Sequence, residues 1–148
     1  PCIRHSEAMA TLDQRREGLR EEVRLLRAWA GRNRRFAPAV HVGWPGDVAV
    51  ELPADVGYDV GMRVDLIAKA LDLLEGEQPC VWLTRCGTSE VNDLDLAWCG
   101  ASVAALASRG WPAAFYVVTR NSWHSPVTDD SRSWLRQRTS PRSQRRAG

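Results

Sequence analysis

The sequence predicts a single α/β domain with one mixed sheet, built from an N-terminal hairpin plus a parallel βαβ unit. Its helices lie mainly on one face, and an additional N-terminal helix precedes it. Three observations carry this. "AVHVGWPGDVAVELP" alternates apolar and small or polar residues on both sides of a Pro-Gly-Asp turn. "VWLTR" (81–85) and "YVVTR" (116–120) are short apolar runs that each stop on Thr-Arg, and a helix-length segment separates them. Upstream, Leu12, Leu19 and Leu26 recur at a spacing of seven residues.

The first helix is expected from Thr11 to about Gly31, because Thr11 and Gln14 have capping-box spacing. Met9, Val23 and Ala30 fill the alternate seam positions, which Arg16 interrupts, so docking on the chain's own domain or on a second copy is expected. Met9 also reads as a natural start of translation. In the hairpin, Val40, Val42 and Trp44 alternate with His41 and Gly43, and Val48, Val50 and Leu52 alternate with Ala49 and Glu51, on either side of Pro45-Gly46-Asp47, where proline presets φ and glycine accepts a positive value. His41, a lone histidine in a strand, is expected to be exposed or hydrogen-bonded.

The second helix is capped by Asp59 and ended by Gly76, with Leu66, Ile67, Ala70, Leu71 and Leu74 on one apolar face. Strand "CVWLTR" follows. Asp93 is the expected cap of a third helix that Gly110 ends, with Leu94, Trp98, Ala101 and Ala105 on one side. Cys99-Gly100-Ala101-Ser102 would let that helix lie close to the sheet. Strand "AAFYVVTR" comes next, then a short helix at 131–138. Residues 1–36 thus hold the N-terminal helix and a basic linker, 37–138 the α/β domain, and 139–148 a disordered basic tail.

Charge is segregated along the 148 residues. Residues 1–36 carry nine arginines against five acids, 37–131 five bases against thirteen acids, and 132–148 six arginines and no acid. Either the basic ends fold back on the acidic body, or they reach nucleic acid or an acidic partner through Arg32, Arg34, Arg35 and the C-terminal arginines. Lys69 is the one lysine among twenty cationic residues, a bias typical of a high-GC bacterial genome. No apolar run approaches a membrane span, and the first residues lack a secretory core. Cys2, Cys80, Cys86 and Cys99 form no metal-ligand spacing, so cytoplasmic thiols, no metal site and no cofactor are expected.

Nucleotide-binding, hydrolase and metalloprotease signatures are absent, and no carboxylate pair marks an acid–base couple. Two parallel strands would bring Thr84, Arg85, Thr119 and Arg120 to one border of the sheet, beside the N-terminus of the third helix, with Asn121, Ser122 and His124 on the following loop. Strand ends and helix amides of this kind bind anions. The structural alternative is that Arg85 or Arg120 pairs with nearby carboxylates such as Asp93 and Asp95. Seven tryptophans are present. Trp82 and Trp98 are expected in the core, and Trp44 and Trp111 at its margin. Trp123 and Trp134 are candidate interaction residues with Leu19 and Leu26, or anchors of a folded-back C-terminal segment.

From about Val40 to Arg138, the order hairpin, "VDLIAKALDLLEG", "CVWLTR", "NDLDLAW", "AAFYVVTR" and a short final helix resembles a STAS-type domain, the class that includes anti-sigma-factor antagonists. The resemblance implies a regulatory, protein-binding role. In that family a regulatory serine follows an aspartate at the start of the middle helix. Here Leu94 follows Asp93 and Ser89 precedes the helix, so that switch does not carry over. The resulting expectation is a non-catalytic cytoplasmic interaction or regulatory domain with a protein partner, including a homodimer through the N-terminal helix. Two alternatives stand beside it. One is a small anion- or phosphate-binding module or enzyme using the strand-end arginines, with His124 exchanging a proton. The other is a nucleic-acid binder.

Overall fold

The computed structural model describes residues 4–30, 35–54 and 57–134. Among the described residues, alternation, caps and turns produce nine elements: α1 (Arg4–Trp29), β1 (Ala39–Gly43), β2 (Ala49–Pro53), α2 (Val60–Asp72), β3 (Cys80–Thr84), α3 (Asp93–Ala107), β4 (Phe115–Val118), β5 (Ser122–His124) and β6 (Ser131–Ser133). The strands form one six-stranded mixed sheet in the order β2-β1-β3-β4-β5-β6. β3 and β4 are parallel neighbours, and every other pairing is antiparallel.

Register assigns the side chains to faces, because directly opposed residues point the same way. Trp82 stands between His41 and Tyr116, and Thr84 between Ala39 and Val118. These residues share the face that α1 covers, where Arg15 Nη1 donates to the Tyr116 hydroxyl. Val42, Val81 and Phe115, with Val40, Leu83 and Val117, share the other face, which α2 and α3 cover. All five residues of β3 are buried because both of its faces are covered.

α1 begins at Arg4, so Thr11 lies inside the helix rather than at its cap. Leu19, Val23, Leu26 and Ala30 are buried on the sheet, and Arg16 instead pairs with Asp130 at 3.0 Å. Gly18 permits close approach to the hairpin turn: a Cβ there would sit 2.0 Å from the Pro45 carbonyl oxygen. That turn has Gly46 at φ 79°, with Asp47 N–H donating to the Trp44 carbonyl.

Asp59 caps α2 by accepting from Met62 N–H, but the helix ends at Asp72 with Leu73 as its C-cap, short of Gly76. Ile67, Ala70 and Leu71 form its buried stripe. The cap of α3 is Asn92 rather than Asp93. Asn92 accepts from Asp95 N–H while the Asp95 carboxylate accepts from Asn92 N–H. Gly110 (φ 75°) closes α3, with its N–H on Ala107 and Trp111 N–H on Leu106. Trp98, Ala101, Ser102 and Ala105 face inward, whereas Gly100 points outward with nothing within 4 Å of a built Cβ.

The expected final helix is absent from its described part. Residues 131–133 are strand β6, which closes a second hairpin with β5. Ser125 Oγ accepts from Val127 and Thr128 N–H in its turn, and Asp129 takes φ 65°. The three-residue strands carry too little alternation to be legible. The tail beyond Trp134, including Arg138, lies outside the described residues.

Candidate functional site

Both Thr-Arg ends reach one border of the sheet, as parallel strands require, but their side chains do not converge. Thr84 is registered against Val118, so the two motifs are staggered by one residue. Arg85 therefore falls on the α3 face and Arg120 on the α1 face.

Arg85 is 4% exposed and Asp95 is fully buried. Arg85 Nε and Nη2 grip the two Asp95 oxygens at 2.7 and 2.8 Å. Nη1 donates to the Cys86 and Thr88 carbonyls, and Nη2 also donates to the Glu90 carbonyl. These bonds use all five guanidinium donors. Arg85 thus organises the 86–92 loop around the start of α3 and offers nothing further to an anion. Asn92 supplies the helix cap from within the chain, so the structural alternative describes Arg85.

Arg120 lies over the Phe36 ring at 5.9 Å, and its carbonyl accepts from Arg27 Nε. Arg27 also donates to Asn121 Oδ1. Thr84 Oγ1 donates to the Ala39 carbonyl and meets His41 Nε2 at 3.1 Å. The His41 ring stacks on Trp82 at 5.3 Å. Burial holds the His41 imidazole below its ordinary pKa, against a smaller opposing pull from Glu51. Thr119 Oγ1 and Ser122 Oγ are 2.8 Å apart and buried.

His124 faces α3. Burial lowers its pKa most; Asp95 pulls the other way, and Arg85 adds to the lowering. Both ring nitrogens are buried without a hydrogen-bond partner in the described structure. The ring borders a cavity of about 460 Å³ formed with Val91, Leu96 and Ser125, but neither nitrogen is accessible from it.

The interaction candidates are placed mostly inside. Leu19, Leu26 and Trp123 belong to the core, and Trp123 meets Tyr116 edge-to-face at 5.9 Å. Trp134 is half-buried under Arg20, with its backbone N–H on the Asn121 carbonyl, so it anchors the end of the described chain. Of the basic residues in the linker, only Arg35 is described, and Arg32, Arg34 and the arginines beyond Trp134 lie outside the described residues.

Two features went unread in the sequence. One is the outward face of α3, where Leu96 is 56% and Val103 37% exposed beside Gly100, Ala104 and Ala107. Its signal was available: no charged residue occurs from Leu96 to Ser108. The other is a cavity of about 440 Å³ at the opposite end of β3, between α1 and the first hairpin turn, containing Arg15. No sequence signal marked it, because its walls come from three separate segments. Among the described residues no group of His, Cys, Asp and Glu is arranged to hold a metal, and no helix is long and apolar enough to cross a membrane. No family model, curated protein or solved structure matches this chain.

Proposed function

We propose that this chain is a non-catalytic cytoplasmic protein-interaction domain whose contact surface is the outer face of α3 and whose partner there is a second copy of itself. One observation carries the reading. α3 is apolar or small on every side from Leu96 to Ala107, yet the sheet and α2 cover only part of it and leave Leu96, Gly100, Val103, Ala104 and Ala107 exposed. A helix apolar all round belongs in an interior, and solvent is a poor neighbour for the exposed half.

A second copy fits by symmetry. Gly100 is the central residue of the fifteen in α3. A two-fold axis passing beside it would run the two helices antiparallel and bring their backbones close. Leu96 of one copy then lies over Ala104 of the other, and Val103 over Ala97, so large residues meet small ones. No like charges oppose each other along that length. A regulatory use agrees with the STAS-like element order from the first hairpin to β4. Cys80, Cys86 and Cys99 are thiols, which supports a reducing compartment.

Sedimentation equilibrium tests the reading. The wild type is expected to dimerise, and Gly100→Arg and Ala104→Glu to sediment as monomers with unchanged circular dichroism, since both positions are exposed. A wild type that stays monomeric up to millimolar concentration, or variants that dimerise as well as the parent, would sink it.

A further inference from the structure

Arg15 is a half-buried cation whose one hydrogen bond among the described residues goes to a neutral group, the Tyr116 hydroxyl at 3.2 Å. Among the described residues no carboxylate lies within ion-pair distance of it. The other titratable group that its charge acts on is the Cys80 thiol. Burial pushes that thiol up to about 11, and burial raises Tyr116 as well, so both are neutral at pH 7. Four of the five guanidinium donors are therefore without a partner among the described residues, beside a cavity of about 440 Å³.

The cavity has further parts that suit a small organic ligand. Trp44 provides an aromatic wall and is half-buried. Gln78 is held by donating Nε2 to the Pro112 carbonyl, which leaves its amide oxygen as an acceptor. Cys80 closes the floor, and its raised pKa keeps it from acting as a nucleophile. Asp47 and Glu77 are exposed lining residues. Their two negative charges oppose a dianion but tolerate a monoanion, and they attract an ammonium group.

We propose that this cavity binds a small monocarboxylate, with Arg15 gripping the carboxylate and Trp44 stacking on the ligand's planar body. Arginine suits a carboxylate because its planar fork matches two oxygens, and a half-buried unpaired cation gains most from such a partner. This site is separate from the α3 surface, on the opposite face of the sheet, so either assignment can fail alone.

The test titrates benzoate, phenylalanine and inorganic phosphate into the full chain while recording indole ¹H–¹⁵N resonances, with Trp44 assigned through Trp44→Phe. Benzoate or phenylalanine is expected to shift the Trp44 resonance saturably. Tighter binding of phenylalanine would identify the carboxylate source as an amino-acid zwitterion, and tighter binding of benzoate a simple acid. Arg15→Gln, which can still donate to Tyr116, should weaken binding about tenfold or more, the scale of one charge-assisted hydrogen bond. Asp47→Asn and Glu77→Gln, at exposed positions, should tighten benzoate binding about two-fold or more by removing a like charge. Binding of neither organic acid, phosphate binding as tight as benzoate, or unchanged affinity in Arg15→Gln would each overturn the proposal.

Discussion

Thr84 faces Val118 across the parallel β3–β4 pair, not Thr119. That one-residue stagger separates two arginines that look equivalent in the sequence. Side chains alternate with a period of two, so a shift of one sends Arg85 to α3 and Arg120 to α1. Arg85 becomes a buried structural cation rather than half of a two-arginine anion clamp.

The Arg85–Asp95 pair is expected to be the most sensitive polar contact in the fold. Asp95→Asn leaves a buried guanidinium without its counter-charge and should cost about 3–5 kcal/mol in urea unfolding. The double variant Arg85→Met, Asp95→Leu should cost less than Asp95→Asn alone. A loss below about 1 kcal/mol for Asp95→Asn, the scale of an exposed pair, would contradict this account.

Gly18 and Gly100, both in helices, should respond to alanine with opposite signs. At Gly18 the new methyl meets the Pro45 carbonyl at 2.0 Å, and overpacking should cost about 1–3 kcal/mol. At Gly100 nothing lies within 4 Å, and helix propensity should stabilise the monomer by about 0.5–1 kcal/mol. Chemical denaturation at low protein concentration reads both.

His41 and His124 have folded-state pKa values below the ordinary histidine value of 6.5. The unfolded chain then binds protons more readily than the folded one as pH falls through 6.5. The stability that these neutral imidazoles allow is fully present above that pH and is lost below it, until the depressed folded values are reached. Between pH 7.5 and 5.5 the wild type should lose more stability than a His41→Gln, His124→Gln variant, as measured by urea midpoints. Equal losses would show that neither imidazole is held neutral. Glu22 titrates in the opposite sense: burial raises its pKa against the Gly46 N–H bond. Comparing the two proteins cancels that contribution.

Cys80 should be the slowest of the described thiols to alkylate. Its pKa is pushed to about 11 and it is 1% exposed, whereas Cys86 and Cys99 are half-buried. Iodoacetamide at pH 8 followed by peptide mass spectrometry should find Cys86 and Cys99 modified before Cys80. Early modification of Cys80 in the folded chain would mean that the floor of the Arg15 cavity opens.

Much of the fold was legible because it is written in local rules. Val40 and Val42 alternate toward one face, Asp59 caps α2, Gly110 closes α3, and Pro45-Gly46 turns the first hairpin. Each depends on residues only a few positions apart. The sequence by itself thus determined the α/β class, the parallel unit and the identity of the apolar stripes. Where a local rule has two solutions the sequence does not choose between them: Asn92 and Asp93 can both cap α3, and Asn92 does.

Tertiary structure alone decided what the stripes face and which polar atoms meet. Leu19 and Leu26 read as a seam for any partner; the sheet claimed them because it offers a wider apolar surface than another helix. The stagger of β3 on β4 separated Arg85 from Arg120, and the approach of Gly18 to Pro45 built the wall of the Arg15 cavity. These outcomes depend on register and packing between segments far apart in the chain. Strand alternation repeats every two residues, so one sequence pattern is compatible with several alignments, and only the packed core selects among them.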